Sequence, residues 1–213
     1  MSDPLAVAIG GVGGQMGAAV AALAAGRADV RPVLGVSTTP ETVDAPVEQV
    51  VTVGALPAAL EASSVDVLIE FTTAGAVGSL AHAAAAAGVA LVSGTTGLTA
   101  ADRSGLDAAA AAVPVLHATN FSRGIAVLRG LVREAVSQLP SADIELTETH
   151  HRRKQDAPSG TAETLLRDIA AAGGPDGRVD GRSGEAPRES AEVGVHARRA
   201  GAIAGVHEVL FAT

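Results

Sequence analysis

The side chains best suited to chemistry are concentrated in one short segment, residues 150–161, which reads HHRRKQDAPSGT. Among the 15 basic residues of the chain, only Lys154 is a lysine, and two of the six histidines, His150 and His151, lie just before it. An ammonium group is a compact charge with a tunable pKa, and a guanidinium is not equivalent to it. We therefore predict that chemistry, and not solubility, fixes the identity of Lys154. The alternative is that a lone lysine falls here by chance.

The end of the same segment predicts a binding site for a carboxylate. Asp156-Ala157-Pro158 is expected to be extended, because a residue that precedes proline disfavours helical geometry. Ser159-Gly160-Thr161 then begins a helix, whose unpaired backbone N–H groups and hydroxyls suit an anion. This cradle can hold one end of an anionic substrate while the histidines and Lys154 reach its reacting part.

Two other roles for this segment are less favoured. Adjacent histidines at the end of a strand point to opposite faces, so His150 and His151 are poor joint metal ligands, and we predict no metal site. A nucleophile formed by Ser159 and Lys154 is conceivable, but no oxyanion hole or acyl substrate is indicated. Acid–base and substrate-binding roles fit the residues better.

Composition excludes several classes of protein. The net charge of −8 argues against a general nucleic-acid binder, which needs a basic face. The positive patch at 150–154 suits a small anionic ligand, although a solvated basic loop is the alternative. The absence of cysteine excludes disulfides and cysteine-based zinc sites. No apolar stretch reaches about 18 residues and no secretory signal is visible, so we expect no membrane span and a cytoplasmic protein.

The first half of the chain alternates short apolar runs with helical stretches. Strands separated by helices of about ten to fifteen residues indicate βαβ units and a parallel sheet. We predict an α/β protein with an N-terminal Rossmann-like parallel sheet domain, residues 1–121, that binds a dinucleotide. The predicted strands of this domain are 5–9, 33–36, 50–53, 65–71, 89–92 and 115–117.

In the second half of the chain, strands and helices no longer alternate regularly. Residues 143–149 alternate as a half-buried strand, a helix is predicted at 159–172, and two strands close the chain. The stretch 173–190, rich in Gly, Arg and Pro, predicts a long mobile loop. We therefore predict that residues 122–213 form a substrate-binding and catalytic α+β domain with an open mixed sheet.

A glycine cluster, Gly10 to Gly17, occupies the turn between the first predicted strand and the first predicted helix. Glycines there let the backbone approach a pyrophosphate, and the helix that follows offers free N–H groups and a partial positive charge. A glycine pattern alone is weak, but its place in the first βα turn predicts a nucleotide site. A NAD site usually has an acid at the end of the second strand, whereas Ser37 stands there in this chain. The residues therefore permit NADPH, leave a preference for NADPH open, and do not exclude NADH.

Residues 145–161, ELTETHHRRKQDAPSGT, closely resemble the signature of the 4-hydroxy-tetrahydrodipicolinate reductase family, also called the dihydrodipicolinate reductase family. The resemblance implies two domains, a homotetramer, and a role in lysine and diaminopimelate biosynthesis. It also implies that NADPH or NADH reduces a cyclic dicarboxylate to tetrahydrodipicolinate, with loss of water from the hydroxylated substrate. Further blocks agree in order over nearly the whole chain: the glycine turn and residues 66–72, 94–97, 120–122 and 205–211.

The resemblance implies roles for individual residues as well. His150 would be the proton donor or acceptor and Lys154 the proton donor. His151 would contact the substrate, as would Gly160 and Thr161 through the amino end of the helix. Ser159 is added as a substrate-binding residue because it belongs to the cradle described above. The residues that would line the cofactor are Gly11, Val12, Gly13, Gly14, Gln15, Met16, Ser37, Gly94, Thr95, Thr96, Ala118, Thr119, Asn120 and Phe121.

Two departures from the family pattern affect these expectations. Ser37 occupies the position that usually discriminates between cofactors, so no nicotinamide preference can be copied. Family members typically continue for several tens of residues more, so we expect a truncated C-terminus, which would weaken a tetramer-forming sheet. The alternatives are a catalytically impaired nucleotide-binding fragment and another small nicotinamide-dependent two-domain reductase, such as an amino-acid dehydrogenase.

Overall fold

A computed structural model describes residues 3–213, which form two compact units that divide between Ala118 and Thr119. The first unit alternates strands and helices along the chain. Its elements are β1 (Leu5–Gly10), α1 (Gln15–Ala25), β2 (Val30–Val36), β3 (Gln49–Val51), α2 (Leu56–Ala62), β4 (Val67–Glu70), α3 (Ala74–Ala87), β5 (Ala90–Ser93), α4 (Ala100–Ala110) and β6 (Val115–His117).

The strands of the first unit form a parallel sheet in the order β3-β2-β1-β4-β5-β6, which confirms the predicted Rossmann-like architecture. Strand β1 lies inside the sheet. The next two strands, β2 and β3, lie on one side of it, and the last three, β4 to β6, lie on the other. Ala8 and Ile9 of β1 are fully buried, as expected where helices cover both faces of a parallel sheet. The carboxyl ends of β1 and β4 therefore lie at the switch point of the sheet, where ligands of such folds bind.

The helices of the first unit pack apolar faces onto this sheet. Helix α3 is rich in alanine, a strong helix former, and Gly88 is its C-cap. Thr99 caps α4 by accepting a hydrogen bond from the backbone N–H of Asp102, and the Asp102 carboxylate binds back to Thr99. This reciprocal arrangement is a capping box, with aspartate in place of the usual glutamate. Within residues 3–213, no helix combines the length and apolar character that a membrane span requires.

Helix α2 was not predicted from the sequence. Leu56 and Leu60, one helical turn apart, are buried against the core, and Pro57 lies in the first turn, where a proline is tolerated. A helix of seven residues shows too few turns for a hydrophobic period to be recognised.

The second unit places two helices against one face of a small sheet. Its elements are α5 (Arg123–Gln138), β7 (Asp143–His150), α6 (Gly160–Ala171), β8 (Gly177–Asp180), β9 (Glu192–Arg199) and β10 (Val206–Ala212). The strand order is β10-β7-β9-β8, with β10 antiparallel to β7 and the other pairs parallel, so the predicted mixed sheet is confirmed. Its core joins Val132 and Val136 of α5, Leu165 and Ile169 of α6, and alternate residues of the strands.

The prediction of an uninterrupted loop over residues 173–190 was wrong, because β8 forms within it. The strand pairs with β9 at the edge of the sheet, and its Arg178 is bound by Asp180 and by Glu163 of α6. Glycine and aspartate at the two ends of β8 disfavour a strand by propensity. Tertiary pairing therefore decides the structure here.

Candidate active site

The glycine turn forms a backbone cradle at the carboxyl end of β1. Gly11 has φ +76°, and a Cβ atom at this position would overlap the carbonyl oxygen of Phe71. Both features require glycine. Helix α1 begins just beyond the turn, with Gly14 as its N-cap, so no side chain caps the backbone N–H groups at this helix end.

A cavity of about 540 Å³ opens beside this turn. Of the predicted cofactor residues, Gly11, Val12, Gly13, Gly14 and Ser37 line it. The loop after β4 also contributes, through Phe71, Thr72 and Thr73. Among the described lining residues only Asp44 is charged, and sequence reasoning did not single it out.

The other predicted cofactor residues are placed differently. Gln15 and Met16 are exposed in the first turn of α1. Gly94, Thr95 and Thr96 form the loop after β5, where Thr95 is buried. Ala118 ends the first unit, while Thr119, Asn120 and Phe121 belong to the second. There Thr119 is hydrogen-bonded to Thr164, and the Asn120 amide donates to Thr161 of α6.

The centre of the second unit is the carboxylate of Glu148, which is fully buried. The alternation of β7 places Glu148 on the same side as the core residues Ile144 and Leu146. Arg199 of β9 binds it through both terminal nitrogens, at 2.9 Å and 2.7 Å, and the backbone N–H of Ser159 donates to it at 3.1 Å. Burial alone raises the pKa of Glu148, but the hydrogen bonds from Arg199 and His150 outweigh this effect and hold the pKa below its ordinary value.

Glu148 fixes the orientation of His150. The distance from Glu148 Oε2 to His150 Nδ1 is 2.5 Å. An ionised carboxylate can only accept a hydrogen bond, so Nδ1 carries the hydrogen and Nε2 is left to exchange a proton. Gly205 lies beside that nitrogen, since a Cβ atom at position 205 would come within 2.9 Å of Nε2.

A second histidine, His207 of β10, lies next to His150. The two rings meet edge to face, with their centroids 5.1 Å apart, and His207 Nε2 is 3.0 Å from the hydroxyl of Ser159. Burial, together with the charges of His150 and Lys154, lowers the pKa of His207 below its ordinary value. His207 is therefore neutral at neutral pH.

The lone lysine is held by a carboxylate from its own loop. Lys154 Nζ lies 2.7 Å from Asp156 Oδ1, and the lysine side chain is 20% exposed. Partial burial raises the pKa of Asp156, but the hydrogen bond and the charge of Lys154 outweigh this and lower it below its ordinary value. The carboxylate of Asp156 therefore neutralises part of the positive patch that the sequence predicted at residues 150–154.

The predicted carboxylate cradle lies at the amino end of α6. Ser159 is its N-cap, and the Ser159 hydroxyl accepts a hydrogen bond from the backbone N–H of Ala162. Because Ser159 is buried and all its polar groups are bound within the protein, it positions the helix end. Gly160 and Thr161 form the first turn. His151 Nδ1 is buried and has no hydrogen-bond partner in the described part of the chain.

The residues that sequence reasoning missed are the partners of the predicted ones. Glu148 and His207 stood inside the segments that resemble the family, but no role was assigned to them. The alternation of β7 was the available signal for Glu148, because it groups this acid with buried residues. No group of His, Cys, Asp and Glu within residues 3–213 is arranged to hold a metal ion.

Comparison with known proteins identifies relatives over both units. The family model described as "Dihydrodipicolinate reductase, N-terminus" matches residues 5–121, and the one described as "Dihydrodipicolinate reductase, C-terminus" matches residues 124–213. A protein of Haloarcula marismortui named 4-hydroxy-tetrahydrodipicolinate reductase is 45% identical, over 97% of this chain and 81% of its own length.

Solved structures show a similar fold. A dipicolinate-bound dihydrodipicolinate reductase from Paenisporosarcina sp. TG-14 covers 99% of this chain and 84% of its own, with a TM-score of 0.75 and 22% identity. GenD2 from gentamicin A biosynthesis, solved in complex with NAD, covers 81% of this chain and 55% of its own, with a TM-score of 0.59 and 19% identity.

We predict that the interactions of Glu148 stabilise the folded protein at neutral pH and that this stabilisation is lost at acid pH. A lowered carboxylate pKa stabilises the folded state above the ordinary value of 4.5, and this contribution is lost as the pH falls through the lower folded pKa. Glu148→Gln leaves Arg199 without its anionic partner and should lower the free energy of unfolding at pH 7 by about 3–5 kcal/mol. Urea unfolding followed by circular dichroism at pH 7, 5 and 3 should show this difference narrowing as the pH falls.

Glu163→Gln is the matched control, because Glu163 is paired with Arg178 at an exposed site. Its effect should stay within about 1 kcal/mol at every pH. A constant difference between wild type and Glu148→Gln across the pH range would contradict the prediction.

Proposed function

The chain belongs to the dihydrodipicolinate reductase family, and we propose which of its residues bind the cofactor, bind the substrate and move the proton. It is an oxidoreductase, a 4-hydroxy-tetrahydrodipicolinate reductase of lysine and diaminopimelate biosynthesis. The observation that carries the assignment of roles is the chain of contacts Arg199–Glu148–His150 beside Lys154 and the amino end of α6. We assign cofactor binding to residues 1–121 and substrate binding and catalysis to residues 122–213.

The glycine turn fits a dinucleotide. A cradle in which a Cβ atom would overlap Phe71, a helix that begins without a capping side chain, and the adjoining cavity suit a pyrophosphate. Gly11 to Gly14 would hold the pyrophosphate, and Ser37 would lie near the ribose. When bound, the nicotinamide supplies the hydride.

The charge of the cavity supports NADH over NADPH. Asp44 is the charged group among the described lining residues, and a carboxylate can accept a hydrogen bond from a ribose 2′-hydroxyl while it repels a 2′-phosphate. No basic side chain in the described lining offers to bind that phosphate. We therefore assign NADH as the preferred cofactor.

His150 is the acid–base residue in this proposal. Its Nδ1–H is bound to Glu148, so Nε2 takes up a proton from water and delivers it to the substrate. The charge of Glu148 stabilises the imidazolium that forms, as a carboxylate partner does for other catalytic histidines.

Lys154 is the second proton donor, and the helix end binds carboxylate. The ammonium of Lys154 can exchange its contact with Asp156 for one with the substrate. Its new partner would be a substrate carboxylate or the substrate atom that accepts a proton. The backbone N–H groups of Gly160 and Thr161 would bind the other carboxylate, and His151, whose Nδ1 has no partner within residues 3–213, would also contact the substrate. Two protons are donated, one to the departing hydroxyl group and one to the ring, and one ring proton is removed as the hydroxyl leaves. With the hydride, the net uptake is therefore one hydride and one proton, and one water is released.

The open face of the second sheet supports self-association. Val206 and Leu210 of β10 are exposed there, 46% and 59% respectively, with Glu208 between them. The homotetramer implied by the family resemblance would cover such a mixed apolar and charged surface. The cytoplasmic location remains a prediction from the sequence.

The first test is a direct assay of the chain. With 4-hydroxy-tetrahydrodipicolinate generated enzymatically in situ, NADH should be oxidised with a higher kcat/KM than NADPH, and linear oxo acids should not be reduced. Asp44→Asn should reduce the ratio of kcat/KM for NADH to kcat/KM for NADPH. Cofactor binding without turnover would favour the nucleotide-binding alternative, and reduction of linear oxo acids would favour an amino-acid dehydrogenase.

Replacement of His150 tests the acid–base role. His150→Ala should lower kcat by roughly 10²–10⁴-fold, because a positioned general acid is lost. The dissociation constant for the cofactor, measured by calorimetry, should stay close to that of wild type. His82→Ala, at an exposed site on α3, is the control and should keep wild-type kinetics. Equal losses in kcat and in cofactor affinity would show that the role of His150 is misassigned.

Lys154→Arg tests the need for an ammonium. The substitution keeps the charge but replaces a compact proton donor by a planar group that does not lose its proton, so kcat should fall by about tenfold or more. Arg153→Lys, at the exposed neighbouring position, is the control and should leave the steady-state kinetics unchanged. Activity of Lys154→Arg within a few-fold of wild type would exclude proton donation by Lys154.

A further inference from the structure

The first unit contains a fully buried carboxylate that the reaction does not use. Glu70 is the last residue of β4 and is 0% exposed. In the register of the sheet it lies between Gly10, the last residue of β1, and Ser93, the last residue of β5. It therefore lies at the carboxyl end of the central strands, beneath the point where the glycine turn begins.

The carboxylate of Glu70 binds the loops that leave two of these strands. Its Oε2 accepts hydrogen bonds from the hydroxyls of Thr72 and Thr95, both at 2.7 Å, and from the backbone N–H of Thr72 at 3.1 Å. Its Oε1 is bound by the hydroxyl of Ser93. Thr72 follows β4 and Thr95 follows β5, and a further bond from Thr72 N to Thr95 Oγ1, at 2.8 Å, joins the two loops directly.

These loops support the wall of the cofactor cavity. Phe71, Thr72 and Thr73 line it, and the Phe71 carbonyl is in contact with Gly11 of the turn. The Phe71 ring packs on Gly94, where a Cβ atom would overlap it. A shift of Thr72 or Thr95 therefore moves Phe71 against the glycine turn.

We propose that Glu70 is a positioning residue for the nicotinamide cofactor: its buried carboxylate clamps the loops after β4 and β5 and so fixes the cavity wall that faces the glycine turn. The inference rests on the proposed cofactor site. Glu70 does not touch the cofactor, since no part of it is exposed. It acts through Thr72, Thr95 and Phe71.

The proposed clamp depends on the two oxygen atoms of Glu70 as hydrogen-bond acceptors and not on the negative charge of the carboxylate. Three donors converge on Oε2, and Ser93 is the partner of Oε1. A glutamine can reproduce this pattern with its carbonyl at the position of Oε2 and its amide donating to the Ser93 hydroxyl. A methionine of similar volume leaves the buried donors unsatisfied, and the loops then move to find other partners.

The experiment compares Glu70→Met with Glu70→Gln. Calorimetric titration of each purified variant with NADH and with NADPH gives the dissociation constants, and thermal unfolding of the free proteins gives their stability. Glu70→Met should weaken cofactor binding by about tenfold or more, because the cavity wall is displaced. Glu70→Gln should bind within a few-fold of wild type.

Glu192→Met is the matched control. Glu192 is a buried carboxylate of the second unit, bound to Arg182, so its loss should lower the melting temperature without changing the dissociation constant for the cofactor. Ser93→Ala removes one donor to Glu70 at a position with no exposed surface, and it should weaken binding by about threefold even if Glu70→Met does not fold.

The outcomes separate the two levels of inference. Absence of cofactor binding by the wild-type chain would overturn the proposed function itself. If wild type binds, three results overturn the role of Glu70: a Glu70→Met affinity within twofold of wild type, a Glu70→Gln loss as large as that of Glu70→Met, or an unchanged affinity in Ser93→Ala. Cofactor affinity that is retained in Glu70→Gln but lost in Glu70→Met supports the clamp.

Discussion

The buried carboxylate of Glu148 is the constraint on which the chemistry of the second unit depends. A charged group inside a protein is tolerated only when cations and donors surround it. Arg199 from β9, the backbone of Ser159 at the start of α6, and His150 at the end of β7 meet this requirement together. Satisfying one charge therefore brings three elements to a common point. The same contacts orient His150 and anchor the helix end that suits a carboxylate.

The first unit solves a similar problem with neutral donors. Glu70, like Glu148, is fully buried near the end of a strand, but hydroxyl and backbone groups surround it in place of an arginine. In parallel sheets the loops beyond the strand ends carry function, and those loops need anchors. An acceptor with several lone pairs at the strand end binds adjacent loops at once. In both units a buried acid thus holds the functional segments in place.

The sequence predicted the elements better than their contacts. Apolar runs and glycine turns located the parallel sheet, and alternation over residues 143–149 placed β7. The partners of the chemical residues were not predictable, because they depend on strand register. Arg199 pairs with His150 across β7 and β9, 49 residues apart in the chain, and His207 pairs with Glu148 across β7 and β10, 59 residues apart. No local pattern specifies pairing over such separations. Helix α2 and strand β8 were missed because they are too short to show a period.

The contrast between Arg199 and Lys154 explains why the chain has a single lysine in its chemical segment. Arg199 binds the fully buried carboxylate of Glu148 with two nitrogens, which suits a permanent contact. Lys154 makes a single contact with Asp156, whose side chain is 44% exposed, and a substrate carboxylate can compete for it. A planar guanidinium would bind Asp156 more firmly and would not release a proton. In the proposed mechanism the ammonium therefore stands where a partner must be exchanged, and arginine stands where the partner must stay.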